Sequence, residues 1–132
     1  EGEIMRITEK MQVTLEIAKE ALDQGEMPIS AVVFHDDEII SSSFASEKTD
    51  KRFLVHAEMK ALIEADKKCF SIKDRKQMQL FTSLEPCLMC LGAAMSFFIG
   101  EIYYSLEAPM DGAVALVKEN WDKNCHEIPE FS

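Results

Sequence analysis

The stretch Gln79-Leu80-Phe81-Thr82-Ser83-Leu84-Glu85-Pro86-Cys87-Leu88-Met89-Cys90-Leu91-Gly92-Ala93-Ala94-Met95-Ser96-Phe97-Phe98 changes character at its middle. Its first part, Leu80 to Leu84, is apolar and β-prone and reads as a buried strand. Pro86 ends that strand, because proline has no N–H to give to a ladder. The same residue, at or near a first helical position, suits a helix start. Residues 87–98 have a helix-compatible composition. Cys87 and Cys90 are then three apart on one face of the first turn, near the positive end of the helix dipole. That placement lowers a thiol pKa and favours the metal-binding thiolate. Strand, proline and helix in this order make the chain an α/β protein at its centre.

The flanking segments extend the alternation. Ile4, Ile7, Met11, Leu15, Ala18 and Leu22 recur at steps of three and four, which predicts a helix over 4–24 with this stripe buried and Gly25 as its stop. Residues 29–34 and 38–44 read as two strands joined by a turn at His35-Asp36-Asp37, an antiparallel hairpin. A polar connection over 45–55 leads to a helix over 56–68, with Met59, Leu62 and Ile63 on its apolar side. A charged loop covers 71–78. The helix over 87–98 is apolar almost all round, which predicts burial on every side and a subunit interface. A strand over 101–105, a short helix over 113–121 and an irregular tail over 122–132 complete the reading. The expected fold is a single α/β domain over 1–132, a three-layer α/β/α sandwich around a mixed sheet.

Composition bounds the function. The chain has 132 residues, enough for a core without disulfide staples. No run approaches the roughly 20 apolar residues that span a bilayer, and the expected location is cytoplasmic. The net charge is −10, from 14 basic and 24 acidic residues. A nucleic-acid binder usually carries a basic footprint, so nucleic acid is not expected as a partner. The nearest approach to one, Lys67, Lys68, Lys73, Arg75 and Lys76, is diluted by Asp66 and Asp74 and reads as a solvated face.

Two cysteines need a further ligand to make a zinc site, and His56 in His56-Ala57-Glu58 offers one. Three protein ligands leave a fourth position for water, the pattern of a catalytic zinc, whereas four close a structural one. Glu58 lies close enough in sequence to address that water and to carry its proton to a ring nitrogen and a leaving amine. Other readings stand beside this one. Cys-x-x-Cys also serves as a redox pair, and Cys69, Cys125, His35 or His126 could close a structural zinc knuckle.

His56-Ala57-Glu58 together with Pro86-Cys87-Leu88-Met89-Cys90 fits the H-x-E…P-C-x-x-C signature of zinc-dependent base deaminases. The chain resembles the cytidine and deoxycytidylate deaminase superfamily, in the branch of tRNA adenosine deaminases, guanine deaminases and yeast-type cytosine deaminases. Met27 to Val33, Leu84 to Met95 and Ile99 to Tyr104 carry the likeness further, over roughly residues 5–118. The resemblance implies a cytidine deaminase-like fold with a mixed five-stranded sheet, zinc held by His56, Cys87 and Cys90, Glu58 as proton shuttle, and a homodimer. Ala57 is the expected substrate contact. The implied activity is hydrolytic removal of an amino group from a small nucleobase-like heterocycle as base, nucleoside or nucleotide. The alternatives are adenosine-to-inosine conversion in tRNA and a non-catalytic zinc-binding protein of the same fold. Two positions depart from the branch: Ser30 where glycine is usual, and Ala45 where an asparagine normally helps to hold the substrate. With alanine at position 45 the pocket is expected to favour a substrate that needs no partner there, or one held by Ser43 or Ser46 instead. The basic C-terminal helix of the tRNA enzymes has no counterpart in these residues.

Overall fold

The computed structural model describes residues 4–120 and 130–131. In chain order the elements are α1 (Ile7–Asp23), β1 (Ser30–His35), β2 (Glu38–Phe44), α2 (Glu47–Asp50), α3 (Ala57–Asp66), α4 (Ile72–Arg75), β3 (Met78–Leu84), α5 (Leu88–Phe97), β4 (Glu101–Leu106), α6 (Val114–Asn120) and β5 (Glu130–Phe131). The strands lie in the order β2-β1-β3-β4-β5. β1 runs antiparallel to β2 and β3, while β3, β4 and β5 run parallel. The mixed five-stranded sheet and the α/β/α layering agree with the sequence reading. The fifth strand is residues 130–131, inside the tail expected to be irregular; the rest of that tail, 122–129 and 132, and the last residue of the helix expected over 113–121 lie outside the described residues.

β3 holds the middle because it is buried on both faces: Met78, Leu80, Phe81, Thr82 and Ser83 are all inaccessible. Such a strand reads as a near-continuous apolar run rather than an alternating one. Its parallel link to β4 needs a crossover, and α5 is that crossover. The hairpin turn is tighter than expected. His35 closes β1 opposite Glu38, leaving Asp36 and Asp37 as the turn. Asp36 takes the left-handed conformation (φ 55°) that aspartate tolerates. The polar connection and the charged loop each contain a single helical turn, α2 and α4.

α3, α5 and α6 cover one face around a core that runs from Ala31 through Leu80, Leu91 and Ile102 to Val117. α1 covers the other, over Val32, Phe34 and Phe81. The expected stripe of α1 faces the sheet only in part, through buried Ala18 and half-buried Met11. Ile4 is 82% exposed and Leu22 58%, and Ile7 and Leu15 are exposed too. The buried residues are Lys10, Thr14, Ala18 and Ala21. Two alanines let the helix approach closely, and the polar pair is satisfied at the sheet. Lys10 Nζ donates to the Asp36 carbonyl (2.6 Å) and to Gln79 Oε1 (2.7 Å). The Ser30 hydroxyl donates to the Thr14 carbonyl. Ser30 thus joins β1 to α1, which gives this departure from the branch a packing role.

α5 also differs from expectation. It buries Cys90, Leu91, Ala94, Met95 and Phe97, but Leu88 and Ser96 are exposed. The open side meets Met59 and Ile63 of α3 across a groove of about 260 Å³. Ile63, expected inside, is half exposed, because Ala57, Ala61, Leu62 and Ala65 form the inner face of α3.

Candidate active site

Two helix starts make the site. α3 begins after His56 and α5 after Cys87, each cap residue being in extended conformation with a side chain that does not cap its own helix. Pro86 therefore lies just before the cap rather than at a first helical position. β3 delivers Cys87 to the carboxyl end of the parallel β3–β4 pair, where open α/β sheets form their crevices.

His56 Nδ1 lies 3.7 Å from Cys87 Sγ and 3.5 Å from Cys90 Sγ, and the two sulfurs are 3.6 Å apart. A tetrahedral zinc with Zn–S of about 2.3 Å and Zn–N of about 2.0–2.1 Å sets its ligand atoms about 3.5–3.8 Å apart. The donor set fits zinc in both kind and spacing. Among the described residues no fourth histidine, cysteine or carboxylate joins the group. Cys69 and His35 lie elsewhere, and Cys125 and His126 lie outside the described residues.

The expected thiolate is not a property of the helix start alone. Burial pushes the Cys90 thiol far up, and the negative charges of Glu58 and Cys87 push it further. Burial therefore works against the thiolate at Cys90, and a cation held by the three donors would favour it.

Glu58 is 4% exposed. Burial raises its carboxyl above the usual range, against the opposing pull of its own backbone N–H, His56 and the Cys90 thiol. Next to the three donors it forms the wall of a cavity of about 180 Å³, with Ile29, Ala45, Ala57, Leu84 and Asp111. Ala57, the expected substrate contact, is fully buried in that wall. Ala45 presents only a methyl group. Ser46 is already committed: its hydroxyl donates to Asp50 Oδ2 (2.7 Å) and accepts from Lys60 Nζ (2.7 Å). Ser43 is not part of the wall.

Three carboxylates went unnoticed in the sequence. Glu47 Oε2 faces His56 Nε2 at 3.8 Å. Glu26 accepts from the backbone N–H of Lys48 and Thr49 and from the Thr49 hydroxyl. Glu85 accepts from the N–H groups of Ala108 and Val114, both at 3.1 Å. A side chain at Gly112 would collide with that Glu85 carboxyl. The only local signal is that Glu85 adjoins Pro86 and Glu26 stands two residues before Pro28; Glu47 sits in a polar run with none.

The family model for the cytidine and deoxycytidylate deaminase zinc-binding region matches residues 5–106. A tRNA-specific adenosine deaminase of Aquifex aeolicus (strain VF5) is 34% identical over 107 residues, 81% of this chain and 70% of that protein. Several relatives of the same name are longer, and the chain spans between 48% and 63% of them. A structure solved in work on A-to-I editing by tRNA deaminases at the wobble position superposes with a TM-score of 0.80 and 28% identity, covering 95% of this chain and 91% of that one. Guanine deaminase from Bacillus subtilis gives a TM-score of 0.73 and 25% identity over 97% and 85%. The relatives named for tRNA run against the expectation that nucleic acid is not a partner. Among the described residues no helix is long and apolar enough to cross a membrane.

Proposed function

Because the chain belongs to the cytidine and deoxycytidylate deaminase zinc-binding family, we propose that it is a zinc-dependent hydrolytic deaminase acting on a nucleobase-like heterocycle. The observation that carries this reading is the buried Glu58 carboxyl beside three donors at zinc-ligand spacing, on the wall of a cavity. His56, Cys87 and Cys90 would hold the metal, which supplies the Lewis acidity that makes water a nucleophile at neutral pH. Glu58 would carry one proton of that water to a ring nitrogen and the second, from the hydroxyl added to the ring, to the departing amine. Water and the aminated ring become a ring carbonyl and ammonia. Burial favours this role, since a carboxyl raised toward neutrality both gains and releases a proton readily.

The cavity of about 180 Å³ suits a small ring. The Ala45 side chain offers that ring no hydrogen bond, so a polar edge buried against it would go unpaired at about 1–3 kcal/mol. An adenosine in tRNA is the second reading, favoured by the names of the relatives. The open groove between α3 and α5 supports the expected homodimer.

The test is ammonia release from a panel of aminated bases, nucleosides, nucleotides and an anticodon stem-loop. Zinc-loaded protein should deaminate at least one, and Glu58→Gln should lower that rate by about 10²–10⁴-fold while retaining zinc. Wild-type turnover by Glu58→Gln would remove Glu58 from the reaction. A stem-loop preferred over every small molecule would establish the second reading.

A further inference from the structure

We propose that Glu47 is a positioning residue for His56, fixing the ring nitrogen that faces the two sulfurs, and that α2 exists to deliver it. His56 presents Nδ1 to Cys87 and Cys90. Its other nitrogen, Nε2, faces Glu47 Oε2 at 3.8 Å. That spacing is longer than a direct hydrogen bond, and a water or a small side-chain rotation spans it. A carboxylate on Nε2 favours the tautomer with its proton there, which leaves the Nδ1 lone pair for a metal and raises its basicity.

A glutamate on a loose loop could not do this, but α2 is clamped. Glu26, buried, accepts from Lys48 N–H (3.3 Å), Thr49 N–H (2.7 Å) and the Thr49 hydroxyl (2.6 Å). These are donors of a first helical turn, otherwise without intrahelical partners. From the other side Lys60 Nζ ties the Ser46 hydroxyl and the Phe44 carbonyl (3.0 Å) to α3, the helix that His56 starts. Glu26 thus holds the backbone of α2, and Lys60 holds the residues just before it, against the helix that His56 starts. The chain of position runs from Glu26 through the α2 backbone to Glu47 and then to His56.

The proposal rests on the zinc reading, and zinc affinity itself tests it, without turnover. Wild type, Glu47→Ala, Glu47→Gln and Glu26→Gln are loaded with zinc and titrated against a chromogenic chelator. Partners of this kind typically contribute about 10–100-fold in metal affinity, and Glu47→Ala should lose that much. Glu47→Gln, which still accepts from Nε2–H, should lose less. Glu26→Gln, remote from the metal, should weaken zinc measurably because α2 is released. Nitrogen chemical shifts of His56 in the zinc form should report a single Nε2–H tautomer in wild type and a shifted Nε2 signal in Glu47→Ala. Glu47→Ala that binds zinc within twofold of wild type, with an unchanged Nε2 signal, would overturn this proposal alone. Wild type that takes up no zinc would overturn it together with the zinc reading.

Discussion

The two faces of the sheet are built by different means. On the side of the site, α3 rests on the sheet through Ala57, Ala61 and Ala65, and the core behind them is continuous and apolar. Small side chains bring the helix axis close to β1, so the position of His56 follows from backbone packing. On the opposite side the buried cluster of the sheet is small, Val32, Phe34 and Phe81, with Met11, Val13 and Ile17 of α1 half-buried against it and Ala18 and Ala21 buried on the same helix. There a chain of rings, Phe34 edge-on to Phe81 (5.4 Å) and Phe81 stacked on Tyr103 (4.7 Å), joins the packing. Lys10 sits over the Phe34 ring and ties α1 by hydrogen bonds. The face that holds the chemistry rests on a large apolar core, and the far face on a small one supplemented by polar ties.

The largest effect that would sharpen this contrast lies at the site. Cys87→Ser should lose most of its zinc, from about one per chain in wild type, and with it deaminase activity; metal analysis decides. Zinc retained in full would show that Cys87 is not a ligand. The next compares the faces directly. Leu91→Ala, in the continuous core, should cost about 2–5 kcal/mol, whereas Leu15→Ala, on the exposed stripe of α1, should fall within about 0.5 kcal/mol. Equal losses in urea unfolding would erase the distinction.

The smallest concerns acid. Hydrogen bonds, first from the Thr49 hydroxyl, hold the Glu26 carboxyl below its ordinary 4.5, despite the cost of burial. A depressed folded value means that the stabilisation is present above the unfolded pKa and is lost as pH falls through the lower folded one. Wild type should therefore lose more stability than Glu26→Gln between about pH 5 and pH 3. Identical acid profiles would deny Glu26 its clamping role.

Much of the site face was legible in the sequence. His56, Glu58, Cys87 and Cys90 are chemically distinctive at short spacings, and Pro86 marks where strand gives way to helix. The sheet followed from β-prone runs and the parallel crossover. The face of α1 was not legible, because apolar periodicity shows that a helix has a stripe but not which stripe meets the sheet. Close approach favoured Ala18 and Ala21, and Lys10 found acceptors that only the folded hairpin supplies. Glu47 was hidden for a similar reason: it becomes a neighbour of His56 only after α2 folds back under the hold of Glu26.

The Glu85 carboxylate grips the chain at two points, Ala108 and Val114, and Gly112 lets it pass between them. Pro109, Met110 and Asp111 arch outward between those anchors and are exposed. Such a staple separates what must stay from what is free to vary. Substitutions along the arch can alter what the cavity mouth accepts while its footings and the metal ligands keep their places. Of the three only Asp111 lines the cavity, so one position on the arch can be rewritten at the cavity's edge without disturbing either footing.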